Sequence, residues 1–214
     1  MNKLYSDTFR WLAIGLLVTF VSGVAIASTP SLLKVLVSNS LMFYLPIIVQ
    51  LGICIALAGF IRKLSYHSAV VLFLGYSLLT GIDIAFYLII FELTSVISIF
   101  FVAAFIFAIM AFLGKVLDVD VSKLGTILFI ALIGIIIVPI INVLFIHSDS
   151  LSLMVSCIAI VIFMGYIIYD LKIVEPLADE IGEEKASIYC AFQLYLDFIN
   201  LFIRLLQIFG KRRD

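Results

Sequence analysis

The stretch YLDFINLFIRLL, residues 195–206, sets Asp197, Asn200 and Arg204 into an otherwise apolar run. Such residues are costly in hydrocarbon, so those found in spanning segments face a bundle interior or a water-filled cavity. Extended in both directions, the run acquires a pattern. Tyr189, Gln193, Asp197, Asn200, Arg204, Gln207 and Lys211 follow one another at spacings of 4, 4, 3, 4, 3 and 4. At 3.6 residues per turn they fall within an arc of about 80° on one helix face. Phe192, Phe198, Ile199, Phe202, Ile203 and Leu206 cover the rest. A helix with one polar stripe and lipid-like flanks is predicted to lie against a polar interior. Two ways of satisfying the stripe stay open: a polar lumen, or a lumen-free bundle in which Arg204 neutralises Asp197.

The rest of the chain has the composition of a membrane protein. Of 214 residues, 65% are hydrophobic and 13% charged, against roughly half apolar and a quarter charged in a soluble domain. The apolar residues form seven blocks, 9–28, 41–61, 68–91, 94–114, 123–146, 151–171 and 187–209, each near the length that crosses a hydrocarbon core. The expectation is an all-α integral membrane protein, residues 1–214 as a single membrane domain of seven transmembrane helices with a polar last helix inside. The first block resembles a signal peptide in its flanks but is long for one, and it reads as a retained helix. Cys54, Cys157 and Cys190 all fall in apolar blocks and are read as buried packing residues.

Basic residues near the block ends orient the chain. Lys3, Arg10, Arg62, Lys63, Lys115, Lys123, Lys172 and Lys185 gather on the N-terminal side, against Lys34 in the opposite loops. This predicts a cytoplasmic N-terminus. The tail residues Lys211, Arg212 and Arg213 pull the other way, so the last block either crosses fully or is re-entrant. The segment 172–186, KIVEPLADEIGEEKA, carries five acidic residues. It reads as a solvated connector or as an acidic vestibule that concentrates cations.

Inside the blocks the ionisable residues are Asp83, Asp170, Asp197 and Arg204. Asp170 closes its block and has a water-facing reading; Asp83 is a polar site or a hydrogen-bonded packing residue. Were Asp170 and Asp197 to meet, two carboxylates in one low-dielectric site could not both ionise cheaply and would share a proton. Deprotonation would leave repelling charges that attract a cation, and protonation would let the helices close. The P-loop, the dinucleotide fingerprint, zinc spacings and Ser–His pairs are absent from the sequence. A non-enzyme with no cofactor and no nucleic-acid partner is expected, in contact with the lipid bilayer.

The stretches YDL (169–171) and AFQLYLDFINLFIRLLQIFG (191–210) resemble the bacterial branch of the transmembrane Bax inhibitor motif family. LLTGIDI (78–84), VDVSKLGTILFIALIGIIIVPIINVLF (119–145) and the helix ending in Arg62 support the likeness. The resemblance implies a bundle in which six helices surround a central last helix, in a bacterial plasma membrane. It further implies a pH-sensitive calcium leak gated by Asp170 and Asp197, with Arg62 as a latch on that pair. Calcium prefers six to eight oxygen ligands, so Asp170, Asp197 and Asn200 would form a transient site. Tyr195, Gln193, Asp83 and Arg204 would line the ion pathway. The chain departs from the family pattern at Gln50-Leu51, where relatives often carry a carboxylate, and at Arg204, where uncharged residues are common. An intramembrane aspartyl protease fits YD (169–170), but the Gly-x-Gly-Asp context and the Pro-Ala-Leu motif of that class are absent. A non-conducting regulator with a membrane protein partner stays open.

Overall fold

The computed structural model describes residues 2–38 and 40–213. Among these, regular structure is helical apart from one isolated antiparallel bridge, Phe91 to Arg212. The helices are α1 (Asn2–Ala27), α2 (Pro30–Ser38), α3 (Ser40–Phe60), α4 (Tyr66–Ile90), α5 (Leu93–Val116), α6 (Val121–Ile141), α7 (Asp149–Ile181) and α8 (Glu183–Phe209). Each of the seven expected segments falls on a helix. Six helices (α1, α4, α5, α6 with its extension, α7 and α8) are long and apolar enough to cross a membrane, whereas α3 offers the shorter apolar run Tyr44–Phe60. The chain is an α-helical integral membrane protein with six such spans among the described residues.

Local chemistry sets the helix ends. Ser65 caps α4 by accepting the Ser68 N–H at 3.1 Å, and Asp120 caps α6 by accepting the Lys123 N–H at 3.1 Å. The additional helix α2 opens on Pro30, whose ring pre-sets the φ of a first helical position. The end of α6 widens into a π-helical turn, Asn142–Ile146. Buried Asn142 fastens that turn to the start of α7: its Nδ2 donates to Ser148 O at 3.0 Å and Ser152 Oγ at 2.8 Å, and its Oδ1 accepts from Ser148 N at 3.0 Å.

The 172–186 segment is not a connecting loop. Helix α7 runs through Pro176 to Ile181, and Gly182, at φ +87°, alone separates it from α8. Only glycine takes that φ without strain. The acidic residues there are exposed on a helical extension whose other face buries Val174. Nor is α8 re-entrant: it is one unbroken helix of 27 residues. The tail beyond it is tied to the α4–α5 turn, with Arg213 N donating to Ile90 O at 2.9 Å and Arg213 Nε to Phe91 O at 3.1 Å.

The residues cluster into two compact units. In the first, Met1–Glu92 with Val174–Tyr195 and Arg212–Asp214, α1 and α4 approach closely where Gly81 meets Ser22 and Gly23. Phe192 and Tyr195 pack edge-on against Phe73 and Tyr76, with ring centroids 5.2–6.1 Å apart. In the second, Leu93–Ile173 with Leu196–Lys211, Phe198 packs edge-on against Phe100 and Phe107 at 5.4 and 5.7 Å. Phe192, Phe198 and Phe202, expected as lipid-like flanks, are therefore core residues. The last helix is the buried one: 72% of its most apolar window is buried, against 17–39% for the other five spans. Among the cysteines only Cys190 is buried; Cys54 is half-buried and Cys157 exposed.

Candidate functional site

The second unit brings Asp170 of α7 and Asp197 of α8 together. Their side chains are 2% and 4% exposed, and their carboxyl groups lie in hydrogen-bonding contact. An ionised carboxylate only accepts hydrogen bonds. The contact therefore requires at least one proton on the pair, and either residue could carry it. Asp170 Oδ1 and Asp197 Oδ2 are buried with no partner among the described residues. An unsatisfied buried acceptor is costly, so the site is poised for a proton, a water or a cation. Tyr169, next to Asp170, lies over Gly125 of α6, where a Cβ would come within 2.7 Å of the ring. Tyr166 stacks edge-on against Tyr169 at 6.3 Å, within electrostatic range of both carboxyls.

Other residues expected at the site are engaged elsewhere. Arg62, expected as a latch on the pair, is held by Glu180: its Nε donates to Oε1 at 2.6 Å and its Nη2 to Oε2 at 2.9 Å. That fork is the geometry a guanidinium favours with a carboxylate, and both side chains are exposed. Lys185 Nζ donates to Arg62 O at 3.3 Å and Leu64 O at 3.1 Å, fixing the backbone beneath Arg62. Asn200, expected as a ligand, donates its Nδ2 to Leu196 O of its own helix at 2.8 Å, a bond that does not involve Oδ1, the atom that would ligate a cation. Arg204 does not neutralise Asp197; its Nη1 donates to Gln207 Oε1 at 3.1 Å. Among the described residues no cluster of three or more His, Cys, Asp or Glu is placed to hold a metal. Two carboxylates suit a passing ion better than a resident one.

The first unit holds three further polar groups. Gln50 Nε2 donates to Asp83 Oδ2 at 3.0 Å, joining α3 to α4. Tyr195 is fully buried with its hydroxyl 2.6 Å from Thr19 Oγ1. Thr19 directs its single proton toward Gly15 O (3.0 Å) and Ser77 O (2.8 Å), so Tyr195 is the donor of the shared bond. The neighbouring Ser77 and Thr80 hydroxyls donate within their own helix, to Phe73 O and Tyr76 O at 3.0 Å each. Gln193 Oε1 is buried with no partner among the described residues. The sequence reading missed Glu180 and the Thr19 cluster. Helical spacing of Ile173, Val174, Leu177, Ala178 and Ile181 past Lys172 would have exposed the first.

The buried carboxyl pair sits on two helices, α7 and α8, each long and apolar enough to cross a membrane, which makes the site that of an α-helical membrane protein. The family model described as Inhibitor of apoptosis-promoting Bax1 matches residues 1–214. The inner membrane protein YbhL of Escherichia coli (strain K12) is 36% identical over 215 residues, covering 97% of this chain and 91% of the relative. An uncharacterized protein of Borreliella burgdorferi is 32% identical over 218 residues, covering 100% and 94%. A membrane protein of Streptococcus pyogenes serotype M6 is 32% identical over 217 residues, covering 99% and 93%. The chain belongs to the Bax inhibitor-1-like family of membrane proteins.

Proposed function

We propose that the protein is a proton-controlled calcium leak of the bacterial plasma membrane, its N-terminus cytoplasmic. The observation that carries this reading is the buried contact between Asp170 and Asp197, each with one carboxyl oxygen unsatisfied among the described residues. With a proton on the pair the two carboxyls attract one another and hold α7 to α8. Removal of that proton leaves two negative charges in a medium of low dielectric, where their repulsion is far stronger than in water. The same charges then attract a divalent cation and supply its first hard oxygen ligands. Among the described residues no cation forms an ion pair with either carboxyl, so protons are the available counter-charge. The likeness to the inner membrane protein YbhL supports the plasma membrane assignment.

The test is calcium entry into liposomes carrying the purified protein, measured from pH 5 to pH 8. Flux is expected to rise as the pair loses its proton, and Asp170→Asn or Asp197→Asn to remove the pH dependence. A wild-type signal equal to that of empty liposomes at every pH would sink the reading.

A further inference from the structure

A cleft of about 370 Å³ opens in the first unit beside the N-terminal turns of α1. It is lined by Lys3, Asp7, Arg10 and Trp11 of α1, Tyr66 at the start of α4 and Glu184 at the start of α8, over a floor that includes Ile14. Lys3, Asp7 and Arg10 are spaced i, i+4, i+7 and share one helix face. Arg10 Nη1 approaches Asp7 Oδ1 at 3.3 Å with 75% of the arginine side chain exposed, a loose pair that a competing ligand can displace. Among the described residues Lys3 and Glu184 enter no ion pair. The cleft thus carries two cations and two anions, with one of each uncommitted.

That balance selects a ligand. A lone inorganic anion or a metal ion would satisfy one sign of charge and be repelled by the other. A phosphate joined by a short linker to a primary ammonium satisfies both. Lys and Arg are phosphate donors, while carboxylates and the face of a tryptophan accept an ammonium. The cleft also begins where the first span begins, at Lys3, and Trp11 and Tyr66 are residue types of the membrane–water interface. We propose that it binds the headgroup of a zwitterionic aminophospholipid. The phosphate lies on Lys3 and Arg10, the ammonium on Asp7 and Glu184, and the glycerol end over Ile14. This goes beyond the calcium reading and does not depend on it.

The test is native mass spectrometry of the full chain in detergent, titrated with phosphatidylethanolamine, phosphatidylcholine or phosphatidylglycerol of matched acyl chains. Phosphatidylethanolamine is expected to bind about fivefold more tightly than the other two, since choline has no N–H to donate and glycerol no positive charge. A factor of that size corresponds to the ~1 kcal/mol that one charged side chain contributes at a membrane surface. Glu184→Gln should abolish the preference, and Lys3→Gln should weaken all three lipids alike. Both side chains are exposed, and an unchanged melting temperature will confirm that each variant is folded. Equal binding of the three lipids by the wild type, or a full preference retained in Glu184→Gln, overturns the proposal. Water-soluble glycerophosphoethanolamine is expected not to displace the lipid at millimolar concentration; displacement at micromolar concentration would reassign the cleft to a soluble ligand and overturn the lipid assignment.

Discussion

The buried carboxyls of Asp170 and Asp197 lie in hydrogen-bonding contact, and one oxygen of each has no partner among the described residues. Satisfied hydrogen bonding would have made this an inert packing contact. Half-satisfied, it is a site whose energy changes with every proton or ion that reaches it.

Replacing one member by asparagine tests that idea at constant shape. In Asp197→Asn the amide donates to Asp170, so the contact survives without a proton. A gate set by one proton changes flux by roughly tenfold per pH unit below its midpoint. The variant should change by less than about twofold between pH 5 and pH 8 in liposome flux. A wild-type slope retained in both Asp170→Asn and Asp197→Asn would move the proton sensor elsewhere.

The fork between Arg62 and Glu180 is exposed to solvent and contributes little to stability, because water and salt screen it. Arg62→Gln and Glu180→Gln should therefore leave the melting temperature in 0.15 M salt unchanged. Each removes the same contact, so any effect on calcium flux should be the same in both. Divergent fluxes would mean that Arg62 has a second partner during transport.

Gly81 marks a close approach of α1 and α4; an added Cβ would meet the Ser22 Cβ at 2.8 Å and the Gly23 N at 2.9 Å. Backbone at that distance cannot give way locally. Gly81→Ala should destabilise by about 1–3 kcal/mol. Gly52 of α3 has nothing within 4 Å of its would-be Cβ, so Gly52→Ala should be neutral or stabilising by up to ~1 kcal/mol. Thermal unfolding of the two variants side by side checks the pair of outcomes.

Tyr195 separates the worth of a hydroxyl from that of a ring. Tyr195→Phe removes the donor to Thr19 and should lower stability by about 0.6 kcal/mol, at most ~1.7. Tyr195→Ala also empties the space against Phe73 and Tyr76 and should lower it by about 3–5 kcal/mol. Equal losses in the two variants would show that the hydroxyl cluster, not the ring, holds this part of α8.

The Asp120 cap supplies a pH dependence outside the membrane spans. The Lys123 backbone N–H, and then its side chain, hold the Asp120 carboxyl below the usual carboxylate range. A lowered folded-state value means the stabilisation is present above the unfolded value near 3.9 and disappears as pH falls through the folded one. Asp120→Ala should lower the melting temperature at pH 7 and have a much smaller effect at pH 3. The same loss at both pH values would show that the carboxylate charge is not what caps α6.

The spans were legible because hydrocarbon tolerates so few sequences. Asp170 and Asp197 could be singled out since ionisable residues inside apolar blocks stand out at once. Helix α2 was passed over because nine residues are too few to register as a span, although Thr29-Pro30 marks its start. The charge of the 172–186 segment suits a loop and a solvated helical extension equally, and only the spacing of its apolar residues distinguishes the two. Arg62 and Glu180 lie 118 residues apart, and no local rule pairs them. The flanks of α8 were read as facing lipid, since Phe192 and Phe198 look alike to a bilayer and to a protein core.

The first turn of α8 is fastened to backbone carbonyls of its own unit, Lys185 Nζ donating to Arg62 O at 3.3 Å and Leu64 O at 3.1 Å. A rod pinned in this way cannot act as a piston. Sliding by one helical turn, about 5.4 Å, would tear out the fastening. What remains available to the pinned turn is torsion about its own axis.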